Sequence, residues 1–508
     1  MTSQTRFERI WKWLPVGLWA LAMVGLPLTS FPAITHLTGS TVAPFSALPL
    51  AVLALVWFLP YLVRRGSLPR ETVPFIVFTL YVLGLAALAF FQNMDVFRNQ
   101  PLLSQTIRSL LPFSIGLAFF LVSAAWNRDP AVMRRTLQAI HIGGVMMLIW
   151  TAIQALVMFR MAGVYPPFLG AIKSVLVTQS DIVGIGRLAG LTWEASWLAD
   201  QFVMLYMPLW LAATYQRTTV FPRIGKISLE NVLLVGGLYV FYLTSPRIGG
   251  AAFMLMLLYL FLKLVAAVYR WAIARLAHLP LATKSPWLLK TMVGAVILVI
   301  FVGFYAGFSS TVFKVVCKRD WRVCLLSNMP LNADEIQNNP GGINENLLFN
   351  ISQRYAFLER TVYWMTGWHI FNDHPILGVG LGNAGYSFID QMPAIGWASI
   401  EVRAVAYQNA GLPNIKSMYY RLLAETGVIG FAIFILWMLV LWASARASQR
   451  SRDGTVRTMA LAGQLAIAAF ILEGFSIDSF GLPYLFLIMG LTAATGWIYR
   501  RESRAADR

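Results

Sequence analysis

Charge is the scarcest ingredient of this chain: 12% of its 508 residues are Asp, Glu, Lys or Arg, and only 22 are acidic. A water-soluble globular protein carries roughly twice that charged fraction, so that class is excluded. Cysteine is scarcer still, with two residues, which rules out a disulfide-dense scaffold and a cysteine-rich zinc module. Closely spaced carboxylates of the kind that hold divalent cations are also missing. In the one long polar stretch Asp320, Asp334, Glu335, Glu345, Glu359, Asp373, Asp390 and Glu401 are scattered. No internal repeat is evident, whereas transporters tend to be built from repeats.

What fills the chain is apolar. Hydrophobic residues make up 58% of it, in recurring runs of about 20, each long enough to cross a bilayer as a helix. Hydrocarbon offers a bare N–H or C=O no partner, so such runs fold as helices; barrel strands of about ten residues are shorter than these. The pattern predicts an all-α polytopic membrane protein with about twelve transmembrane helices. They fall near 13–34, 43–63, 72–92, 106–126, 136–159, 194–214, 229–246, 248–269, 290–308, 418–445, 458–477 and 480–499. Between the seventh and eighth stand only Pro246, Arg247 and the pair Gly249-Gly250, which allows a tight hairpin or one broken helix. The first run lacks a small-residue cleavage site and is expected to stay as an anchor.

Lys and Arg in short loops are retained on the cytoplasmic side. One set of connections carries Arg6, Arg9 and Lys12; Arg64, Arg65 and Arg70; Arg128, Arg134 and Arg135; Arg217, Arg223 and Lys226; Arg270, Arg275, Lys284 and Lys290; Arg446, Arg450, Arg452 and Arg457; and Arg500, Arg501, Arg504 and Arg508. That set holds 24 of the 40 basic residues. Both termini are then cytoplasmic, and the polar segment 310–417 lies outside, between the helices of 1–309 and those of 418–508. The net charge of +18 is a topology signal, with no clustered patch for nucleic acid.

Cys317 and Cys324 both fall in the external segment, where an oxidising compartment would let them form one disulfide. No His or further Cys stands at ligand spacing for a metal. Arg187, in Gly-Ile-Gly-Arg-Leu-Ala-Gly, and Arg247, in Thr-Ser-Pro-Arg-Ile-Gly-Gly, are basic residues on the outer side, where the bias predicts few. Neighbouring glycines let a ligand approach, and a guanidinium there suits phosphate; snorkelling to lipid headgroups is the alternative reading. Glu194 is the nearest acidic residue after Arg187. Acidic residues at or near spans, Asp200, Glu425, Glu473 and Asp478, are costly in hydrocarbon and face a protein interior or cavity. Glu425 is expected to pair with Arg421 one turn earlier. His141 and Lys263 are assigned to packing or snorkelling.

Within the external segment 310–350 is polar and reads as loop. Residues 354–371 place Phe357, Val362, Met365 and Ile370 at helical spacing, an amphipathic helix on or over the membrane face. Aromatic residues on that helix suit an interfacial belt, while Trp397 and Tyr407 suit a belt or stacking on sugar rings. Gly378, Gly380 and Gly382 then alternate with apolar residues, a string suited to a tight, closely packed turn.

Arg360, Trp364, Trp368 and the run His374-Pro-Ile-Leu-Gly-Val-Gly-Leu-Gly-Asn383 resemble the O-antigen ligase/polymerase family. Pro413-Asn-Ile-Lys-Ser-Met-Tyr-Tyr-Arg-Leu-Leu-Ala-Glu-Thr-Gly427 resembles its second external motif, and the segments around Arg187 and Arg247 resemble its arginine-bearing positions. The resemblance covers about 185–435. It implies a scaffold of GT-C type and an enzyme of lipopolysaccharide or exopolysaccharide biosynthesis in the bacterial inner membrane, with its large loop periplasmic. The implied reaction is glycosyl transfer from an undecaprenyl-pyrophosphate-linked oligosaccharide, without cofactor. A ligase hands the glycan to lipid A–core, a polymerase to the next lipid-linked repeat. A chain-length regulator and a flippase are the partners so implied. Sequence reasoning assigns catalysis to Arg187, Arg247, Lys416, Glu194 and His374, and substrate binding to Arg360, Arg403, Asn414, Ser417 and Arg421. Ligases of the family resemble one another in a His-Asn or His-Ser pair where this chain has Lys416-Ser417. A lysine of pKa about 10.4 is a poor base and a good cation toward phosphate, which favours the polymerase. The alternatives are the ligase and a lipid-linked sugar transporter or flippase.

Overall fold

A computed structural model describes residues 6–38, 40–90, 101–161, 163–179, 187–244, 247–276, 357–408 and 411–506, with scattered positions between 287 and 352. Among these residues every regular element is helical, and strand pairing is reduced to two isolated bridges. The order is α1 (Arg6–Val24), α2 (Pro32–Thr38), α3 (Ala47–Leu53), α4 (Leu59–Val63), α5 (Val73–Ala89), α6 (Leu102–Trp126), α7 (Pro130–Arg160), α8 (Pro167–Leu176) and α9 (Ala195–Gln201). Then come α10 (Met207–Gln216), α11 (Leu229–Thr244), α12 (Arg247–Leu276), α13 (Leu358–Asp373), α14 (Ile400–Tyr407), α15 (Met418–Ser448), α16 (Gly454–Glu473) and α17 (Pro483–Ala506). Single π turns, Ala54–Phe58 and Phe202–Tyr206, join α3 to α4 and α9 to α10.

Two compact units divide the chain. The first comprises Met1–Met256, Gly367–Phe388 and Asn414–Arg508, the second Leu257–Thr366 and Ile389–Pro413, so α12 and α13 each run from one into the other.

Helices fall in the expected spans; the ninth, 290–308, is described only in part and is helical where it is, while Cys317 and Cys324 lie outside the described residues. Among the described residues six helices are long and apolar enough to cross a membrane: Arg70–Ala89, Leu102–Trp126, Pro130–Arg160, Arg247–Leu276, Met418–Ser448 and Gly454–Glu473. The seventh and eighth spans hold α11, ending at Thr244, and α12, starting at Arg247; residues 245 and 246 between them lie outside the described residues. The expected first span stops short, at Val24, because Pro27 and Pro32 each remove a helix donor and Leu28 instead pairs with Phe45 through its carbonyl. α17 is buried from Pro483 to Gly496, so its fit to the protein interior, rather than to lipid, shapes its composition.

α5, α6, α15 and α17 meet in an aromatic core, with the Phe75 ring 4.3 Å from Trp437, 5.2 Å from Phe120 and 5.7 Å from Phe486. Small residues bring backbones together elsewhere: a Cβ on Gly463 would stand 2.1 Å from Thr492 Oγ1.

Five of the seven basic connections, those at 64–70, 128–135, 217–226, 446–457 and 500–504, converge at one end of the first unit. Arg128 donates to the Ser67 carbonyl at 3.0 Å, Arg134 to that of Val220 at 3.2 Å, and Ser451 to the Glu502 carboxylate at 2.8 Å. At the same end Glu71, 2% exposed, receives both Arg500 Nη atoms and the Ser444 hydroxyl. Removing one partner of a buried pair leaves the other charge uncompensated. Glu71→Ala is expected to lose about 3 kcal/mol, the low end for such pairs because Arg500 is one-third exposed. Thermal unfolding in detergent checks this, and an Arg500→Ala/Glu71→Ala double variant should lose less than the sum of the singles.

His141, expected to pack or snorkel, is buried with its Nε2 3.8 Å from Glu230, whose carboxylate accepts from the Val220 N–H at 2.9 Å.

Candidate functional site

Two polar loci in the first unit hold most of the residues singled out above. The first is the segment 187–194. Gln154 on α7 accepts from the backbone N–H groups of Ala189 (3.1 Å) and Gly190 (2.7 Å), and Gln179 donates to the Gly190 carbonyl at 2.8 Å. Gly190 takes φ +59°, and a Cβ there would lie 2.7 Å from Thr151 Oγ1, so only glycine lets the segment sit this close to α7. With Leu188, Ala189 and Gly190 buried, Arg187 is left exposed, and its Nε donates to the carbonyl of Thr244, the last residue of α11, at 2.9 Å. Arg247, also exposed, is the first residue of α12. The opening N–H groups of a 30-residue helix have no partners within it and carry the positive end of its dipole. Arg187 and Arg247 therefore both stand where α11 ends and α12 begins, the electrostatic arrangement that suits an anion. Glu194, from the same segment, stands at the N-cap position of α9 with its carboxylate accepting from the Ser196 hydroxyl.

The second locus lies where α15 starts against the turn after α16. Asn414 Nδ2 donates to Asp478 Oδ2 at 3.0 Å, Ser417 Oγ to the Gly474 carbonyl at 3.2 Å, and the Met418 N–H to that same carbonyl at 2.8 Å. Ile415 and Ser417 are fully buried, and Lys416 between them is half-buried. Arg421 donates through Nε to Glu425 Oε2 at 3.0 Å and through Nη1 to the Asp478 carbonyl at 2.5 Å, and covers the Phe480 ring at 5.4 Å.

The O-antigen ligase family model matches residues 232–435. This stretch carries an O-antigen ligase domain. No curated protein matches the chain. The matched domain takes in Arg247, the glycine string and the whole start of α15, and supports an O-antigen ligase/polymerase type of function. Arg187 and Asp478 come from flanking sequence.

Inside the O-antigen ligase domain α15 is broken. Gly427 takes φ +62° and ψ −171°, a conformation reached essentially only by glycine, so the helix stops and restarts there. A break at membrane depth frees backbone groups that must find partners within the protein. The glycine string supplies them: Val379 N–H donates to the Ala424 carbonyl at 3.0 Å, Gly380 N–H to that of Glu425 at 2.9 Å, and Val428 N–H donates to Pro375 at 2.9 Å. Tyr81 on α5 donates to the Thr426 carbonyl at 3.0 Å. The Gly382 N–H bonds the Glu425 carboxylate, and Gln105 on α6 donates to the Gly382 carbonyl at 2.7 Å. The alternating glycines thus form a strand-like partner for a broken transmembrane helix.

His374 follows the last residue of α13, just before this string, and is exposed. Arg360, half-buried on α13, and Arg403, exposed on α14, belong to the second unit. Sequence reasoning placed Arg421 among the substrate-binding residues, but it is 9% exposed and paired with Glu425. The i,i+4 spacing and the cost of two isolated charges in an apolar interior explain the pairing. Gln154, Gly474 and the carboxylate of Asp478 as holder of Asn414 were missed. Asp200, Glu473 and Asp478 all act electrostatically on the buried Tyr484 hydroxyl. Their positions in or beside apolar spans were the signal that could have drawn them together.

Proposed function

We propose that this protein is a polysaccharide polymerase. It transfers an undecaprenyl-pyrophosphate-linked glycan onto the next lipid-linked repeat unit at the outer face of the inner membrane. The supporting observation is the pair of exposed arginines, Arg187 held to the end of α11 and Arg247 opening α12.

In the transfer, a hydroxyl oxygen of the acceptor sugar attacks the anomeric carbon of the donor. The bond from that carbon to the pyrophosphate oxygen breaks, and the hydroxyl proton passes to a base. Negative charge gathers on the departing pyrophosphate, and donors aimed at it lower the barrier because they are worth more in the transition state than in the ground state. Arg187 and Arg247 take that role, with the start of α12 adding its dipole. Lys416 supplies a further cation. His374 and Glu194 are the candidate bases; His374 is exposed at a helix end, and Glu194 shares its segment with Arg187. Lys416-Ser417 in place of a histidine pair favours the polymerase over the ligase.

The test is purified protein with its native lipid-linked repeat, with and without EDTA. Chain ladders that persist in EDTA are expected. Ladders appearing only once lipid A–core is supplied would make it a ligase. Translocation of the lipid in vesicles without chain growth would overturn the enzyme reading in favour of a transporter.

A further inference from the structure

We infer that Glu425, Arg421, Asp478 and Asn414 form a chain of positioning residues, buried at Glu425 and Arg421, that fixes the backbone leading into Lys416, without any of the first three touching substrate. The inference rests on the reading that Lys416 faces the pyrophosphate.

The chain is continuous. The Gly382 N–H and Arg421 Nε meet on the Glu425 carboxylate, Arg421 Nη1 reaches the Asp478 carbonyl, and the Asp478 carboxylate receives Asn414 Nδ2. Asn414 lies two residues before Lys416, and Ser417, immediately after it, is tied to Gly474. At its far end the chain is anchored to the glycine string, whose own backbone is bonded to the break in α15. Arg421 and Glu425 are 9% and 1% exposed.

An ion pair this deep is a poor source of stability, because desolvating both charges offsets most of their attraction and apolar side chains of like volume often serve as well or better. What it supplies that apolar packing lacks is direction. A guanidinium with one edge on a carboxylate and another on a named carbonyl fixes the Asp478 turn in one orientation, and that turn fixes Asn414. A loop carrying a reactive cation needs such fixing, since displacement by about 1 Å costs up to a hundredfold in rate. The half-buried Lys416 sits on a backbone restrained on both sides, as a preorganised group requires.

The experiment reverses the link between Asn414 and Asp478. Asn414→Asp sets two carboxylates against each other and is expected to lower kcat for chain growth about tenfold, with KM for the lipid-linked repeat changed less. Asp478→Asn in the same background restores a donor–acceptor pair with the roles exchanged and should recover most of kcat. A purely structural link would lower the unfolding temperature of Asn414→Asp in step with kcat; here the unfolding temperature is expected to stay near wild type. Lys416→Ala separates the two levels of the argument. If it leaves kcat unchanged, the reading of Lys416 as a pyrophosphate cation fails. If it lowers kcat while Asn414→Asp does not, or while the double variant recovers nothing, the positioning chain is overturned. Glu425→Gln, which keeps the shape but removes the charge, should give a partial loss in kcat of the same kind.

Discussion

Arg247→Ala and Arg187→Ala are each expected to slow chain growth roughly 30- to 1000-fold, the equivalent of about 2–4 kcal/mol of transition-state stabilisation. The loss should fall on kcat more than on KM, because charge on the pyrophosphate grows as the glycosidic bond breaks. Arg247→Lys should recover only part of the rate, since an ammonium restores charge but not the two parallel donors of a guanidinium. Stability provides the control. The hydrogen bond that Arg187 donates to the Thr244 carbonyl is made from an exposed position and is worth about 1 kcal/mol, so the variant should unfold near the wild-type temperature. Because both side chains act at the junction of α11 and α12, their losses should be non-additive: the double variant is expected to fall short of the product of the singles. Initial rates of ladder formation with purified protein measure all of this. Wild-type rates in both single variants would sink the assignment of the leaving-group site to this junction.

Much of the arrangement was legible in the sequence, for identifiable reasons. The long apolar runs fixed helix positions because hydrocarbon leaves the backbone no other option, and basic connections expected to share one side meet at one end of the first unit. The Arg421–Glu425 pair followed from a four-residue spacing in an apolar stretch, which leaves two charges nothing better than each other. Arg187 and Arg247 stood out because they fall outside the set of basic connections, where the charge rule predicts few. What the sequence did not reveal are relations between distant segments. Asn414 with Asp478 and Ser417 with Gly474 are 64 and 57 residues apart, and nothing local marks either pairing. The early end of α1 was missed because hydrophobicity alone extended the run through Pro27 and Pro32. The glycine string was read as a tight turn, and its partner, the break in α15, was unread. Gly427 sits in an unremarkable apolar context, and its backbone angles exist only because residues 375–380 are there to receive it.

That dependence makes Gly427→Ala the most damaging single substitution expected in the O-antigen ligase domain outside the arginines. At φ +62° and ψ −171° a side chain costs about 1–3 kcal/mol in backbone strain alone. The added Cβ would also stand 2.1 Å from the Ile376 carbonyl oxygen, a backbone atom with no flexible end to move aside. The total loss should exceed about 3 kcal/mol, a large fraction of the roughly 5–15 kcal/mol that holds a typical domain. Relief would require the string 375–382 to move away from α15. That would strand the carbonyls of Ala424 and Glu425 and remove the Gly382 N–H from the Glu425 carboxylate. The variant should therefore lose folded protein in detergent and, in whatever fraction folds, lose chain growth as well. Gly84→Ala is the matched control: on the exposed face of α5 a Cβ meets nothing within 4 Å, and alanine there should be neutral or stabilising by about 0.5–1 kcal/mol. Equal tolerance of both substitutions would mean that α15 runs unbroken through Gly427, and the glycine string would then have no reason to be rich in glycine.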